Sequence, residues 1–308
     1  MERDLLRIRS VALLLLFAST LSLSGERRFE KKFTVTPGGT FRLETDIGSV
    51  SIAGTSASEA SIVAEIRGGK RNVEDFEITA TQTNTGVDVK GRGPHDHWFF
   101  WNWGDLDVHY TINLPHEYAV RVNTSGGDIE VRSLKGIVQG ETSGGDIVLA
   151  DIEGGVNMNT SGGGIRAERV KGDLRTETSG GDIAVTSAVG SVDVSTSGGG
   201  IRVSDVEGKV RAETSGGDVT IKIAGSNKGV FAETSGGNID VFLNSDIAAT
   251  IDASTSGGEV SCDLPLTMSG RFDETRIRGS LNGGGNTIHA STSGGDVRIR
   301  SSESYRGH

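Results

Sequence analysis

The stretch Thr142-Ser143-Gly144-Gly145-Asp146-Ile147 is one of nine copies of a motif that organises the chain. Each copy is Thr-Ser-Gly-Gly, then Asp, Gly, Asn or Glu, then Ile or Val. The copies begin at Thr124, Thr142, Thr160, Thr178, Thr196, Thr214, Thr234, Thr255 and Thr292. The first five intervals are equal, at eighteen positions each, and the three later ones are progressively longer. A fixed period of this length predicts a stacked repeat architecture.

Four columns of apolar residues recur at fixed places within the repeat. With the threonine as position one, positions six, eight, eleven and fifteen are apolar, as in Ile129, Val131, Leu134 and Val138. A spacing of two residues is typical of strands with one buried face. A second fixed glycine at position thirteen, such as Gly136, predicts a turn. One repeat therefore predicts two short strands and two corners, with the four columns as the core.

The length of the repeat predicts the fold class. Eighteen residues span roughly 60 Å at about 3.3 Å per residue, which is too long for one strand. We therefore predict an all-β protein, a single-stranded β-solenoid (parallel β-helix) of about 18 residues per coil with an N-terminal β cap region. The strands of successive repeats would pair in parallel and in register. An up-and-down barrel or a sandwich is the alternative, but neither requires identical residues at the same phase of every repeat.

The N-terminus has the pattern of an export signal. Arg3, Arg7 and Arg9 precede an apolar run at 11–17 that is too short for a transmembrane helix. We expect a cleaved signal peptide and a periplasmic, cell-surface or secreted protein, with an uncleaved signal anchor as the alternative.

The only cysteine, Cys262, lies deep in the array, so we predict no intramolecular disulfide.

The chain is predicted to divide into consecutive segments. These are a signal peptide at 1–24, an N-terminal β region at 25–114 with an aromatic insert at 94–104, the repeat array at 115–301, and a polar tail at 302–308. The N-terminal β region is expected to begin and cap the array, because terminal repeats must hide the open end of the core. Within the array, we expect the long interval 259–291 to hold a full coil with a degenerate motif at Asn282.

The composition narrows the range of partners. The net charge of −10 excludes nucleic acid, because phosphate binding needs a basic face. The 46 glycines recur at fixed positions beside only 4 prolines, which excludes collagen and a flexible linker. A basic ligand or a divalent cation is compatible with this charge, and no cofactor is predicted.

The aromatic insert contains every tryptophan of the chain. Its candidate binding residues are Trp98, Phe99, Phe100, Trp101 and Trp103. Two interpretations stay open: these rings cover the open edge of the N-terminal coils, or they bind a cell-envelope glycan, a membrane surface or an envelope protein. The nearby acidic and histidine side chains show no spacing that defines a metal site, so we predict solvated residues at His95, His97, Asp105, Asp107 and His109.

Position five of the motif forms an acidic column. Superficially it is similar to calcium-binding nonapeptide repeats, but the period is twice as long and Gly164 and Gly200 interrupt the column. We therefore predict a structural turn ladder, in which each aspartate bonds its own backbone, at Asp128, Asp146, Asp182, Asp218 and Asp296.

The outward columns of the repeat alternate in charge, as in Lys135, Glu153 and Lys171. This alternation is expected to set the stacking register, because like charges directly opposite each other are destabilising.

Three stretches together resemble a known family: the repeated motif, Val108-His109-Tyr110-Thr111-Ile112-Asn113-Leu114-Pro115, and Gly279-Ser280-Leu281-Asn282-Gly283-Gly284-Gly285. They are similar to the bacterial putative-adhesin domain family of unknown function. The resemblance covers about residues 33–301. It implies an envelope-associated, right-handed β-solenoid for which no catalytic residues are defined.

We therefore expect an exported, non-catalytic β-solenoid that acts as an adhesin-like interaction or structural module at the bacterial cell envelope. The acidic residues are spread evenly along the array, whereas a polysaccharide-cleaving enzyme needs a local cluster of carboxylates. A carbohydrate-active parallel β-helix enzyme remains one alternative. An envelope-stress accessory protein that binds a partner through the aromatic insert is the other. The oligomeric state does not follow from the sequence.

Overall fold

The computed structural model describes residues 24–93, 105–223, 225–268 and 273–305. These residues form 27 strands and one short α-helix, α1, at Lys70–Asp75. The strands lie in two sheets, sheet A with 13 strands and sheet B with 14, whose buried residues form one core. None of the helices formed by the described residues could span a membrane.

The strand bounds follow the repeat. Before the first motif lie β1 Ser24–Thr34, β2 Gly39–Thr45, β3 Ser49–Thr55, β4 Glu59–Gly69, β5 Glu77–Thr83, β6 Gly86–Arg92, β7 Asp107–Pro115 and β8 Tyr118–Thr124. The array continues with β9 Ile129–Lys135, β10 Val138–Thr142, β11 Ile147–Glu153, β12 Val156–Thr160, β13 Ile165–Lys171, β14 Leu174–Thr178, β15 Ile183–Val189, β16 Val192–Thr196, β17 Ile201–Glu207, β18 Val210–Thr214, β19 Val219–Ile223, β20 Val230–Thr234 and β21 Ile239–Leu243. The last strands are β22 Ala249–Thr255, β23 Val260–Cys262, β24 Thr267–Met268, β25 Arg276–Leu281, β26 Thr287–Thr292 and β27 Val297–Ser301.

Each regular repeat contributes one strand to each sheet. In sheet A, Ile129 pairs with Ile147 and Ile147 pairs with Ile165, so neighbouring strands are offset by one full repeat. In sheet B, Val138 pairs with Val156 at the same offset. All these pairs are parallel and in register. The protein is therefore all-β, with the long parallel sheets that a β-solenoid requires.

The predicted apolar columns fill the space between the sheets. Ile147, Leu149 and Ile152 are fully buried, and Val156 is nearly so. The structure adds a further inward column at position seventeen, on sheet B, which the sequence prediction missed. Its buried members include Met158, Thr176, Val194 and Ala212.

A left-handed kink of the backbone, shared by neighbouring strands, explains the three-residue spacing between positions eight and eleven. Position ten has a left-handed backbone in five successive repeats, with φ between 53° and 61°, at Ser133, Asp151, Arg169, Ser187 and Asp205. These residues are skipped in the strand register, so position eleven returns to the core face. The prediction that the glycine at position thirteen marks a turn is confirmed, because Gly136 lies between the end of β9 and the start of β10.

Opposite charges interleave on the outer surface of sheet A. Glu153 lies 3.5 Å from Lys135 and 3.2 Å from Lys171. The hydrogen bond from Lys171 and the charges of both lysines lower the pKa of Glu153. Arg169 forms a two-pronged pair with Asp151 at 2.6 and 3.0 Å, which lowers the pKa of that carboxyl. Such exposed pairs add little stability, and their role in setting the stacking register stays a prediction.

The N-terminal end of the solenoid is not built in chain order. β2 lies between β6 and β8 in sheet B, and β3 lies between β7 and β9 in sheet A. The first coil in sequence is therefore second in the stack. Antiparallel strands then complete each sheet, with β4 and β1 beyond β7 and with β5 beyond β6.

Side chains join the two sheet edges at this end. Lys31 of β1 donates to the carbonyl of Ala80 of β5 at 2.9 Å, and Gln82 of β5 donates to the carbonyl of Thr34 at 2.8 Å. Arg27 donates to the carbonyl of Phe76 in the same way. Backbone groups at the edges are thus bonded within the molecule, which disfavours pairing with another chain.

The last motif copy is inserted between two earlier coils. β26 lies between β20 and β22, and β27 lies between β21 and β23. The expectation that 259–291 hold a full coil with a degenerate motif at Asn282 is wrong. A coil needs a parallel strand in each sheet, whereas β24 and β25 form an antiparallel hairpin in sheet B alone. Asn282, with φ of 47°, lies in the turn after this hairpin.

Candidate functional site

The motif forms the corner at which each sheet B strand ends and the next sheet A strand begins. Its threonine is buried and donates a hydrogen bond to a glycine carbonyl of the neighbouring coil. Thr142 donates to Gly127 at 2.9 Å, and Thr160 donates to Gly145 at 2.9 Å. The threonine hydroxyls are therefore used in stacking and are not available to a ligand.

The serine of the motif faces solvent beside the buried threonine. Ser143, Ser161 and Ser179 are exposed, and no hydrogen bond engages their hydroxyl groups within the described residues. A groove of about 550 Å³ runs along this edge. We define the serine groove by its row of serines and its row of position-eighteen side chains: Ser125, Ser143, Ser161, Ser179, Asn123, Glu141, Asn159 and Glu177.

The groove continues along the later coils. A second section of about 340 Å³ is lined by Ser215, Ser235, Glu213 and Glu233. The inserted coil extends the same rows with Ser291 and Ser293. The out-of-order stacking of the last coil therefore leaves the edge continuous, because the inserted coil places its motif in register with its neighbours.

Carboxylates alternate with neutral side chains in the first section of the groove, whereas Glu213 and Glu233 lie on neighbouring coils in the second section. Glu141 and Glu177 are exposed and form no ion pair in the part of the chain that is described, while Asn159 lies on the coil between them. Coils stack about 4.8 Å apart, so carboxylates on alternate coils are about 9.6 Å apart. At this distance they repel each other weakly at physiological ionic strength, since the Debye length is about 8 Å.

An arginine lies at the N-terminal end of the groove. Arg92 is 2.7 Å from a carboxylate oxygen of Glu44 and 2.7 Å from one of Asp46. Hydrogen bonds to these two carboxylates raise the pKa of Arg92. The next residue, Gly93, donates its N–H to Asp46 at 3.1 Å. The chain therefore enters the segment 94–104 from a point beside the groove.

The predicted turn ladder lies on the other side of the corner. Asp128 accepts a hydrogen bond from the N–H of Asp146 at 2.9 Å, and Asp146 accepts one from Gly164 at 2.7 Å. Asp182, Asp218 and Asp296 bond the neighbouring coil in the same way. The expectation that each aspartate bonds its own turn is wrong, because the backbone of the next coil lies within reach of the carboxylate. These side chains link coils together.

The other candidate residues divide between described and undescribed parts of the chain. Trp98, Phe99, Phe100, Trp101 and Trp103 lie outside the described residues, as do His95 and His97. Asp105 accepts hydrogen bonds from the N–H of Gly69 and the amide of Asn72, both at 2.8 Å. Among the described residues, no group of three or more His, Cys, Asp or Glu side chains could hold a metal ion.

Reasoning from the sequence missed the serine groove. The serine recurs in all nine motifs, and the motif threonine alone separates it from Glu141 or Glu177 in two of them. Aligning the repeats by column places both rows on one edge. The signal was therefore present, but a serine in a glycine-rich turn is ordinarily explained by turn formation alone.

Solved structures of low sequence identity resemble the chain. A protein described as a "putative adhesin" from Parabacteroides merdae is 12% identical, with a TM-score of 0.42 over 89% of this chain and 96% of that one. A "putative lipid binding protein" from Parabacteroides distasonis is 12% identical, with a TM-score of 0.44 over the same shares. A "putative cell adhesion protein" from Clostridium sporogenes is 15% identical, with a TM-score of 0.24 over 89% of this chain and all of that one.

A search of curated proteins finds no significant match to the chain. The model of the family described as Toastrack DUF4097 matches residues 40–300. This span begins within β2 and ends within β27, so it includes the whole array and most of the N-terminal β region. The chain therefore belongs to the Toastrack DUF4097 family.

Proposed function

We propose that the chain is an exported, non-catalytic, adhesin-like binding module of the bacterial cell envelope, and that the serine groove is its binding surface. The main support is the row of free serine hydroxyls, one from each regular coil, beside unpaired carboxylates on alternate coils. Hydroxyl and carboxylate groups in a long open groove suit hydrogen bonding to an extended polymer better than enclosure of a small molecule. We therefore propose a cell-envelope glycan as the ligand.

The stacking gives the groove a rigid spacing. Each serine follows a threonine that is bonded to the neighbouring coil, so the hydroxyl row cannot shift without breaking that bond. A polymer that makes one weak contact with each coil gains affinity from the number of contacts, because every contact after the first is intramolecular.

The right-handed winding implied by the family resemblance stays a prediction. The pairing of strands one repeat apart supports a coil of one repeat.

The aromatic insert is a second proposed contact. Gly93, which precedes it, is bonded to Asp46 beside the N-terminal end of the serine groove. Its candidate binding residues Trp98, Phe99, Phe100, Trp101 and Trp103 therefore belong to a segment that starts next to the groove. Deletion of the insert separates the two interpretations of these rings, a cover for the end coils or a contact for a glycan, a membrane surface or an envelope protein.

The test measures binding of the purified protein to cell-wall and outer-membrane fractions. A groove variant combines Ser143→Ala, Ser161→Ala and Ser179→Ala with Glu141→Gln and Glu177→Gln. We expect it to bind at least about tenfold more weakly, because five polar contacts are removed from one surface. A control with Glu168→Gln and Glu207→Gln removes the same number of charges from sheet A and should bind as the wild type does.

A third variant lacks residues 98–103. Full binding by the groove variant, together with loss of binding in this deletion, would assign recognition to the aromatic insert and refute the groove. Release of soluble sugar from the fractions would instead favour the carbohydrate-active enzyme alternative.

A further inference from the structure

A second cavity opens at the opposite edge of sheet B. Its volume is about 450 Å³, and it lies where β16, β18 and β20 begin, whereas the serine groove lies where these strands end. It occurs where the motif interval first lengthens, between Thr214 and Thr234. The loop 225–229, which precedes β20 in this longer repeat, contributes Lys228 and Gly229 to the rim.

Two asparagines hold this rim in place. Asn227 donates its side-chain amide to the carbonyl of Asn286 at 2.5 Å, and Asn286 donates its own amide to the carbonyl of Asn227 at 3.0 Å. Asn227 is buried and also accepts a hydrogen bond from the N–H of Gly229 at 2.8 Å. The loop is therefore bonded to the residue that precedes the inserted coil, which gives the cavity a fixed wall.

The cavity is cationic in a chain of net charge −10. Lys209 and Lys228 line it, are exposed, and form no ion pair among the residues described. Arg211 also lines it and pairs with Glu213. The acidic side chain at the rim, Asp193, lies 3.5 Å from Arg175. Three cationic groups at one concave surface attract an anion.

Stacking fixes the orientation of Arg211. Its guanidinium lies 4.3 Å from the ring centre of Phe231, and Phe231 is stacked on His289 with ring centres 5.1 Å apart. A guanidinium held flat on a ring keeps its N–H donors directed outward from its edge. Arg211 is therefore positioned to donate to an oxygen in the cavity.

We propose that this cavity, which we call the lysine cavity, binds an oxyanion carried by a polysaccharide. The oxyanion is a carboxylate or a phosphate group. Lys209 and Lys228 would neutralise its charge, and Arg211 would donate hydrogen bonds to its oxygens. Asn286 and Thr287 line the same cavity and are suited to neighbouring sugar hydroxyls.

The surroundings favour a saccharide over a lipid headgroup. An anionic lipid bound from a membrane needs an apolar surface beside the charged pocket. The apolar lining of the lysine cavity is limited to Phe231, whose ring is stacked with Arg211 and His289, and to buried valines at the starts of the strands. The large apolar side chains that the described residues expose, Ile137, Val189 and Met268, lie outside it. The proposal is separate from the serine groove, because the two surfaces share no lining residue.

The test uses the purified protein and defined polymers. Polygalacturonate supplies carboxylates, a poly(glycerol phosphate) polymer supplies phosphates, and dextran is the neutral control. We expect at least one of the two anionic polymers to bind and dextran not to bind. The variant Lys209→Gln with Lys228→Gln should lose about tenfold or more in affinity and show a weaker dependence on salt.

A matched control replaces Lys135 and Lys171 by glutamine, which removes the same charge from the outer surface of sheet A, where both lysines pair with Glu153. This control should bind as the wild type does, and circular dichroism should show the same fold in all three proteins. Equal loss in both double variants would overturn the site, and so would an unchanged affinity of the cavity variant or binding of neither anionic polymer. Preferential binding to phosphatidylglycerol vesicles that depends on Lys209 and Lys228 would overturn the saccharide assignment.

Discussion

Thr176 and Thr178 lie on the same face of β14, and both are almost completely buried. Thr178 donates its hydroxyl hydrogen to the carbonyl of Gly163 at 2.8 Å. The hydroxyl of Thr176 has no hydrogen-bond partner among the described residues. A threonine therefore stabilises the stack at position 178, whereas at position 176 it leaves its hydroxyl without a hydrogen-bond partner.

Replacing each threonine by valine, which has the same shape, should change stability in opposite directions. Thr176→Val removes an unsatisfied hydroxyl and should raise the free energy of unfolding by about 1 kcal/mol. Thr178→Val removes the hydrogen bond to Gly163 and leaves the glycine carbonyl unpaired, so it should lower the free energy of unfolding by about 1–2 kcal/mol. Urea unfolding followed by circular dichroism measures both. A Thr176→Val protein that is less stable than the wild type would show that this hydroxyl is bonded.

At the scale of the element, the corner brings the backbones of neighbouring coils together. A Cβ atom on Gly145 would lie 2.1 Å from the carbonyl oxygen of Gly127, a distance at which the backbone must move. A Cβ atom on Gly144 would have no described atom within 4 Å. The two glycines of one motif therefore differ: stacking requires the second, whereas the first has open space.

Alanine substitutions test this difference between adjacent residues. Gly145→Ala should lower the free energy of unfolding by about 1–3 kcal/mol, because it forces two coils apart. Gly144→Ala should stay within about 0.5 kcal/mol of the wild type. Thermal unfolding of the two variants, which differ only in which glycine is changed, measures the effect. Equal destabilisation would mean that backbone freedom, and not the close approach of the coils, explains both glycines.

The same scale shows what the sequence could predict. The inward columns and the parallel register were predictable because one residue type recurs at one phase of every repeat. The left-handed kink was not predictable, because Ser133, Asp151 and Arg169 share a backbone conformation and no side-chain type. Position seventeen was missed for a similar reason, since Met158 and Thr176 occupy the same column. The serine groove could have been predicted from the sequence by aligning the motif serines with the side chains at position eighteen.

At the scale of the whole molecule, the order of the coils in space does not follow the order of the chain. Every coil offers its neighbour the same backbone edges and the same inward columns, so many stacking orders satisfy the local rules. The long interval between Thr255 and Thr292 marks a break, but it does not say where the last coil is placed. The structure places it between β20–β21 and β22–β23. The outer coil at this end therefore depends on a segment that follows it in sequence.

This order predicts an unequal effect of two similar substitutions. Val297 of β27 pairs with strands on both sides, whereas Val260 of β23 lies at the end of sheet A and pairs with β27. Both valines are buried, so an aspartate at either site leaves an unpaired charge in the core and costs about 3 kcal/mol or more. Val297→Asp should remove hydrogen-exchange protection from β27 and also from β22 and β23, because the coil of β26 and β27 joins them to the rest of the stack. Val260→Asp should expose β23 while β26 and β27 remain protected against β20 and β21. If coils stacked in chain order, Val260→Asp would be the more damaging change, because the coil of β22 and β23 would then hold the last coil in place.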